Sequence, residues 1–444
     1  MASEPASVPF AEAVKFWLKL GFISFGGPAG QIAIMHQELV DRRRWISESR
    51  FLQALNYCMV LPGPEAQQLA TYLGWLMHRT LGGLVAGILF VLPSFLLLVV
   101  FGWIYLTQGD QPLVAGIFGL IKPAVTAVVL HAAWRIGQRA LKGAWPWALA
   151  VVSFLSLSFF SVPFPLIILF AGLIGWLSHR SGSTAFTSAP SHARGRAVEG
   201  EALINQSTPV PEHARFSRRR LVTSVVAGVA LWLVSFGGLL MIFGSSHPLI
   251  DMGRFFTQAA LLTFGGAYAV LPYVFQGAVE TYGWVTPAQM IDGLALGEST
   301  PGPLIMVITF VAFVGAFAGQ FIEGASPLLN GVVAASVATW FTFLPSFVFI
   351  LAGGPLIESG RHVNALNAPL AAITAAVVGI IANLAVWFGL HVFFPAGVTG
   401  VPDLLAVAIA LAAAVALFAF KRSVIEVIGA VALLGATSAI GLLF

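Results

Sequence analysis

A duplicated set of glycine and proline motifs is the feature that most constrains the fold of this chain. Three pairs share an offset of 239 residues: Phe25-Gly26-Gly27 with Phe264-Gly265-Gly266, Trp45 with Trp284, and Pro62-Gly63-Pro64 with Pro301-Gly302-Pro303. Further along, the sequence LPSF at 92–95 returns at 344–347, with an offset of 252 residues. Two constant offsets separated by one 13-residue insertion indicate an internal duplication.

The apolar stretches that carry these motifs are long and continuous rather than alternating. Hydrophobic residues make up 58% of the 444 positions and charged residues only 9%, against roughly a quarter in a soluble domain. So few charges cannot cover the surface of a soluble globule, whereas a bilayer solvates an apolar exterior. The continuous pattern also excludes an outer-membrane barrel. We therefore predict an all-α polytopic membrane protein whose surface contacts the lipid bilayer.

Several classes of function are not supported by the residues. The single cysteine, Cys58, excludes an intramolecular disulfide framework and a multi-thiolate metal site. The sequence contains no phosphate-binding loop, nucleophile elbow or metal-ligand spacing, so we expect no enzyme activity, cofactor or metal. The net charge of +4 fits basic cytoplasmic loops better than nucleic acid binding. The start, MASEPASVPF, lacks a basic region before its apolar run, so we expect no cleaved signal.

The first two apolar elements of each half are interrupted. Residues 11–42 break at Phe25-Gly26-Gly27-Pro28 and residues 47–78 at Pro62-Gly63-Pro64, which leaves pieces of about 13 residues, too short to span a bilayer alone. Proline removes an amide donor and glycine permits a sharp turn, so each motif can end one half-helix and begin another. The pieces form either re-entrant hairpins or kinked spanning helices.

Charge favours hairpins. With hairpins in the first repeat (1–178), the basic residues at 42–44 stay on the side of an arginine-rich linker (179–220) that we expect to be cytoplasmic and disordered. One linking helix (221–253) then crosses, so the second repeat (254–444) is inverted. Its loop at 280–289 contains no Lys or Arg, as an external loop should. Kinked helices would keep the inversion but place Arg42 to Arg44 outside.

Inverted repeats with broken helices are typical of secondary transporters, whose sites lie where half-helix ends converge. The N-terminus of a half-helix presents unpaired amides and a partial positive charge, so the tips fit a small oxyanion. The glycines could instead only allow close helix packing. The candidate substrate-binding groups at the tips are Ser24, Gly26, Gly27, Gly63, Thr263, Gly265, Gly266, Ser299, Thr300 and Gly302.

Three of the charged residues in the predicted membrane segments are the candidates for a functional charge. Lys122 falls near the centre of the helix predicted at 112–134, where a charge is costly and usually functional, so we predict a substrate contact. The alternative is an ion pair with Glu65 or Glu298. Glu65 follows the first Pro-Gly-Pro motif and Glu298 precedes the second by three residues. An apolar setting favours the protonated form of a carboxylate, so both are candidates for proton coupling.

With these residues in place, the chain resembles the chromate ion transporter family in its long, two-domain form. The motifs are SFGGPAGQIAIMHQELV, Trp45 and Phe51 before YCMVLPGPEAQQLATYLGW, and TFGGAYAVLPYVFQGAV with Trp284 and GESTPGP in the second half. The resemblance implies export of chromate across the bacterial inner membrane, driven by the potential or the proton gradient, with sulfate as a look-alike substrate. The residues themselves indicate only a small oxyanion. They leave open a transporter or a passive anion channel, and a monomer or a homo-oligomer.

Overall fold

The computed structural model describes residues 8–183, 185–186, 202–205, 208–358, 366–397 and 399–441, and most of this part is helical. The first half contains α1 (Phe10–Ile23), α2 (Gly27–His36), α3 (Glu48–Cys58), α4 (Glu65–Gln108), α5 (Pro112–Ala140), α6 (Ala144–Phe160), α7 (Phe164–Arg180) and α8 (Arg218–Phe243). The second contains α9 (Pro248–Leu262), α10 (Ala267–Phe275), α11 (Pro287–Ser299), α12 (Val307–Gly319), α13 (Pro327–Glu358), α14 (Asn367–Phe393), α15 (Leu404–Phe418) and α16 (Val424–Gly441). Within the described residues, α4, α5, α8, α13 and α14 are long and apolar enough to cross a membrane.

The duplication extends to irregular turns of helix. A π-helical segment, Gln37–Arg42, continues α2, and another, Gln276–Thr281, continues α10 at the same offset of 239 residues. A 3₁₀ turn, Leu304–Met306, leads into α12. The two halves therefore share the local backbone geometry as well as the motifs, and the prediction of two homologous repeats is confirmed.

The broken elements of the first repeat are re-entrant. The side chain of Arg43, just beyond α2, donates to Glu12 at the start of α1 over 3.2 Å, so the chain returns to the side from which it entered. The second hairpin, formed by α3 and the start of α4, also returns to the side from which it entered. At its first end the amide of Ser47 donates to the carbonyl of Ile204 over 2.9 Å, and at its second end His213 Nε2 lies 2.9 Å from the carbonyl oxygen of Trp75. Ile204 and His213 both belong to the linker, so the two ends of the hairpin lie on one side. We call this side of the helix bundle the linker face.

The second repeat has the same hairpins with their bases on the other side. The ring of Tyr282, beyond α10, lies 5.7 Å from that of Phe255 in the middle of α9, and Tyr282 is close enough to Asp251, in the first turn of α9, for an electrostatic interaction. α4 leaves the linker face at a break in its helical geometry, where Arg79 has φ of 56°, and crosses the bundle. At its far end Tyr105 donates to Asp292 of α11 over 2.8 Å. The hairpin bases of the second repeat therefore lie on the opposite face, and the repeats are inverted.

The linker differs in part from the expectation of disorder. Residues 202–205 and 208–214, which we call the strap, pack on the first repeat, and Ile204 forms an isolated parallel bridge with Ile46. Apolar strap residues explain this packing, because Leu203, Ile204, Val210 and Ala214 join the hydrophobic core around α1, α3 and α4. Residues 187–201, with Arg194 and Arg196, and residues 359–365, with Arg361, lie outside the described residues.

Two predicted boundaries also move. The boundary at residue 254 falls inside α9, because that helix begins at Pro248, where proline suits the first helical position. The helix predicted at 112–134 continues to Ala140, so that Arg135 and Arg139 belong to α5 and not to the loop after it. Because α5 continues past residue 134, Arg135 is held on this helix, and its guanidinium lies near Gly27 at the start of α2.

Candidate functional site

The two repeats are joined at their half-helix tips by a symmetrical pair of backbone hydrogen bonds. The amide of Gly63 donates to the carbonyl of Thr263 over 2.7 Å, and the amide of Gly302 donates to the carbonyl of Ser24 over 2.8 Å. Since Gly63 corresponds to Gly302 and Ser24 to Thr263 at an offset of 239 residues, each bond is the counterpart of the other. The structure therefore brings the four predicted breaks to one place near the centre of the bundle.

The predicted tip glycines have a conformational role. All six glycines named at the tips have positive φ, from 67° at Gly27 to 126° at Gly63. L side chains rarely adopt this region, so glycine allows the chain to turn there between the two halves of each broken element. At Gly63 a Cβ would also lie 2.5 Å from both Gln68 Nε2 and Ser346 Oγ, so the tip has no room for a side chain.

A narrow recess lies where the half-helices begin. It is lined by Pro28, Gln31, Pro64, Glu65, Ala66, Ala267, Pro303 and Leu304. These residues belong to the first turns of α2, α4 and α10 and to the 3₁₀ turn that leads into α12. The first amides of a helix have no partner within the helix and its N-terminus carries about half a positive charge, so the ends that converge here favour an anion. We call this cluster the tip site.

The predicted hydroxyl groups differ in what they bond. Ser24 is fully buried and its Oγ has no hydrogen-bond partner. Its counterpart Thr263 donates to the carbonyl of Ala259 over 2.6 Å, within its own helix. Ser299 and Thr300 donate to carbonyls of α11, over 3.1 Å and 3.4 Å. Among these four hydroxyls, only that of Ser24 is left without a partner.

Gln31 is a polar tip residue that the sequence did not single out. It lines the recess, and its Nε2 donates to the carbonyl of Gly302 in the other repeat. Its Oε1 is buried without a partner. A glutamine on an apolar half-helix is a weak sequence signal, since such residues commonly form helix-helix hydrogen bonds.

The two predicted proton-coupling carboxylates occupy different positions at the tip site. Glu65 is the first residue of α4 and lines the recess, and a Cβ on Gly266 would lie 3.8 Å from its Oε1. Glu298 is buried in the last turn of α11, where it accepts a hydrogen bond from the Tyr268 hydroxyl. The repeat symmetry did not relate the two glutamates, but the fold brings both close to the half-helix N-termini.

Arg135 supplies a cation at the tip site. A Cβ placed on Gly27, the first residue of α2, would lie 4.0 Å from Arg135 Nη2 and 3.9 Å from the Tyr268 ring. The guanidinium is close enough to Glu298 for electrostatic attraction, yet in the described part of the chain no carboxylate lies within 4.0 Å of it. The charge of Arg135 is therefore available to an anion beside the N-terminus of α2.

Lys122, the cation predicted to contact substrate, is engaged elsewhere. Its Nζ lies 3.3 Å from Oδ2 of Asp292, which is fully buried and also bonds Tyr105. The alternative partners expected for it, Glu65 and Glu298, are not the ones it has. Asp292 was not predicted from the sequence as a partner of Lys122, although an acidic residue within an apolar segment usually has a function.

The comparisons with known proteins agree with this architecture. The chromate transporter family matches residues 11–176 and 250–436, one region in each repeat. The chain is 33% identical to a chromate transport protein of Pseudomonas aeruginosa over 382 residues, which are 85% of this chain and 80% of that protein. It is 27% identical to a chromate transport protein of Cupriavidus metallidurans over 374 residues, or 83% of this chain and 80% of that protein. No solved structure matches the chain.

A third relative is shorter. The uncharacterized transporter YwrA of Bacillus subtilis is 30% identical over 158 residues, which make up 89% of that protein but only 35% of this chain. A protein about the size of one repeat therefore exists among the relatives, as expected for an architecture made by duplication. With a family match that covers both repeats and inverted re-entrant hairpins in the structure, this multi-pass membrane protein belongs to the chromate transporter family.

Proposed function

We propose that the protein is a secondary transporter that exports chromate from the cytoplasm across the bacterial inner membrane and so confers chromate resistance. The single observation that carries the proposal is the recess at which half-helix N-termini of both repeats converge. A site between inverted repeats can face either side of the membrane when the repeats move relative to each other. The arginine cluster at 42–44 lies on the linker face and indicates that this face is cytoplasmic. A membrane potential that is negative inside then favours outward movement of a net negative charge from this face.

The tip site has the chemistry to hold a tetrahedral divalent oxyanion. Amides at the beginnings of the half-helices donate to its oxygens, Arg135 supplies the formal charge, and the unpartnered hydroxyl of Ser24 supplies a further donor. Lys122 is the remaining candidate, and it reaches substrate only if it leaves Asp292. Sulfate has the same shape and charge as chromate, so we expect it to compete for the site.

The glutamates couple anion to proton. A charged carboxylate at Glu65 or Glu298 would repel a divalent anion across a medium of low dielectric, so we expect a protonated carboxylate when substrate is bound. One proton carried with each divalent anion leaves one net negative charge. A membrane potential that is negative inside drives that charge outward with about 2.3 kcal/mol per 100 mV. The potential, rather than the pH gradient, then supplies the driving force.

Everted membrane vesicles that contain the protein test this function. With respiration on, the interior is positive and acidic, and we expect accumulation of labelled chromate that stops when the potential alone is collapsed. Collapse of the pH gradient alone should raise accumulation, because the coupled proton enters an acidic interior against that gradient. A passive anion channel would also fill a positive interior with chromate, up to the electrochemical equilibrium of a divalent anion, but its accumulation would not respond to the pH gradient. A flux that ignores both gradients would contradict the proposed coupling.

A further inference from the structure

Two ion pairs join the repeats on either side of the tip site. We propose that they are the two gates of the transporter: Arg50 with Glu358 closes the linker face, and Lys122 with Asp292 closes the opposite face. The proposal rests on the transport function above, because gates are needed only if the tip site opens to each side in turn.

The first pair is buried at the linker face. The guanidinium of Arg50 donates to Glu358, and the two side chains are only 8% and 2% exposed. The Tyr72 hydroxyl donates to the other oxygen of Glu358 over 2.6 Å. Arg50 Nε also donates to the carbonyl of Asn205 in the strap over 3.2 Å. Arg50 and Tyr72 belong to the first repeat and Glu358 to the second, so both of these bonds to the Glu358 carboxylate cross between repeats.

The second pair has the same composition. Lys122 Nζ lies 3.3 Å from Asp292 Oδ2, and the Tyr105 hydroxyl donates to the same oxygen over 2.8 Å. Lys122 and Tyr105 belong to the first repeat and Asp292 to the second. The other oxygen of Asp292 is buried without a partner. Each gate is thus one cation, one carboxylate and one tyrosine.

The two gates occupy related places in the duplicated fold. Gln53 of α3 corresponds to Asp292 at an offset of 239 residues, and Ile357 corresponds to Tyr105 at an offset of 252. Gln53 Nε2 donates to the carbonyl of Ile357 over 3.4 Å, beside Glu358, just as Asp292 contacts Tyr105. The contact between Gln53 and Ile357 and the contact between Asp292 and Tyr105 are therefore related by the repeat symmetry. The ion pairs beside them are formed by residues that the symmetry does not relate.

The gates lie at similar distances from the tip site in opposite directions. Tyr72 follows Glu65 at the tip of α4 by seven residues, and Asp292 precedes Ser299 at the tip of α11 by seven residues. Seven residues of helix are about 10 Å. Because the hairpin bases of the two repeats lie on opposite faces, one pair stands between the recess and each face. Both pairs are formed at once in this structure, so it corresponds to an occluded state.

Charge explains why such pairs suit a gate. A buried carboxylate is strongly destabilised when its cation is removed, so each pair resists separation of the repeats at its own end. Protonation of the carboxylate, or an anion that competes for the cation, weakens the pair. At the linker face the strap adds a carbonyl acceptor for Arg50, so we infer that docking of the strap holds this gate closed.

Thiol accessibility tests the gates without any substrate. The reporter is Ala267→Cys in a Cys58→Ala background, because Ala267 lines the recess and is 2% exposed. An impermeant thiol reagent is applied to intact cells and to everted vesicles. We expect Glu358→Gln to raise the labelling rate at least tenfold from the linker face only, and Asp292→Asn to raise it from the opposite face only. The matched control is Glu426→Gln, which removes an exposed pair with Arg422 at 3.9 Å and should change neither rate.

Milder variants keep the test informative if neutralised carboxylates prevent folding. Tyr72→Phe and Tyr105→Phe each remove one bond to a gate carboxylate and should raise labelling severalfold from the same faces. Exchange of Arg50→Glu with Glu358→Arg should restore slow labelling. Equal increases from both faces, or none in any variant that reaches the membrane, would overturn the gates. Because labelling needs no chromate, this failure is distinguishable from a failure of the proposed transport.

Discussion

The amide of Gly63 donates to the carbonyl of Thr263 over 2.7 Å, and this bond ties the tip of one repeat to the tip of the other. Its counterpart, from Gly302 to Ser24, has the donor and acceptor repeats exchanged. The pair fixes the relative position of the tips at the recess. A substrate that lies there therefore contacts both repeats at once, which is what a site between two moving units requires.

The backbone at these crossing bonds should not tolerate a side chain. Gly302→Ala places a Cβ 2.7 Å from that of Ser94 at φ of 103°, so we expect a loss of about 1–3 kcal/mol in stability and a strong reduction of transport. Thermal unfolding in detergent and chromate flux measure the two effects. Gly119→Ala is the control, because nothing lies within 4 Å of its added Cβ. Equal behaviour of the two variants would contradict the role of the crossing bond.

Arg135 should contribute to substrate affinity. A hydrogen bond to a charged group contributes about 1.5–3 kcal/mol, so Arg135→Gln is expected to weaken chromate binding about 10- to 100-fold. Calorimetric titration of the purified protein measures this change. Lys142→Gln, which removes an exposed cation just beyond the same helix, should leave affinity near the wild-type value. An equal loss of chromate affinity in both variants would show that positive charge acts at long range, and would contradict a direct contact between Arg135 and the anion.

Glu298 should set the response to pH. Glu298→Gln imitates the protonated carboxyl and keeps an acceptor for Tyr268, so anion binding and exchange should persist. Without a proton to carry, chromate accumulation in everted vesicles should no longer change when the pH gradient is collapsed. If the variant keeps the wild-type response, Glu298 is not the coupling group and Glu65→Gln is the next variant to measure.

The sequence predicts the repeats and the half-helix tips of this protein better than it predicts the positions and partners of its buried charged residues. Constant offsets were enough to predict the two repeats and their half-helix tips, because glycine and proline fix backbone geometry locally. The distribution of Lys and Arg was enough to predict the inversion. Arg135 was missed because α5 was expected to end where its apolar run ends, at residue 134, whereas the helix continues and its long side chain reaches inward. The partner of Lys122 was also missed, since Asp292 lies 170 residues away and its repeat counterpart, Gln53, carries no charge.

The inverted topology predicts opposite exposure of two equivalent loops. In a Cys58→Ala background, Tyr282→Cys should react with an impermeant thiol reagent added outside intact cells, because Tyr282 is 37% exposed on the opposite face. Arg42→Cys should not react, although the Arg42 side chain is 61% exposed, because it lies on the linker face. Everted vesicles should give the reverse pattern. Labelling of Arg42→Cys in intact cells would contradict the assignment of the faces.

Acid should loosen the strap. Burial lowers the pKa of His213 below its ordinary value, and the nearby charges of Arg79 and Arg220 lower it further. The docked strap therefore favours neutral imidazole, so docking is strongest above the ordinary value of about 6.5 and weakens as the pH falls below it. Hydrogen exchange in the strap should be faster at acidic pH. His213→Gln should lose most of this dependence, and an unchanged pH response in that variant would contradict the assignment to His213.

The location of the bound anion tests the account most directly. Crystals grown with chromate and measured at a wavelength where chromium scatters anomalously would place the metal atom without reference to any mutant. We expect one peak in the recess lined by Pro28, Pro64, Ala267 and Pro303, within reach of the Arg135 guanidinium and the Ser24 hydroxyl. A peak beside Lys122 and none at the tips would contradict the proposed site.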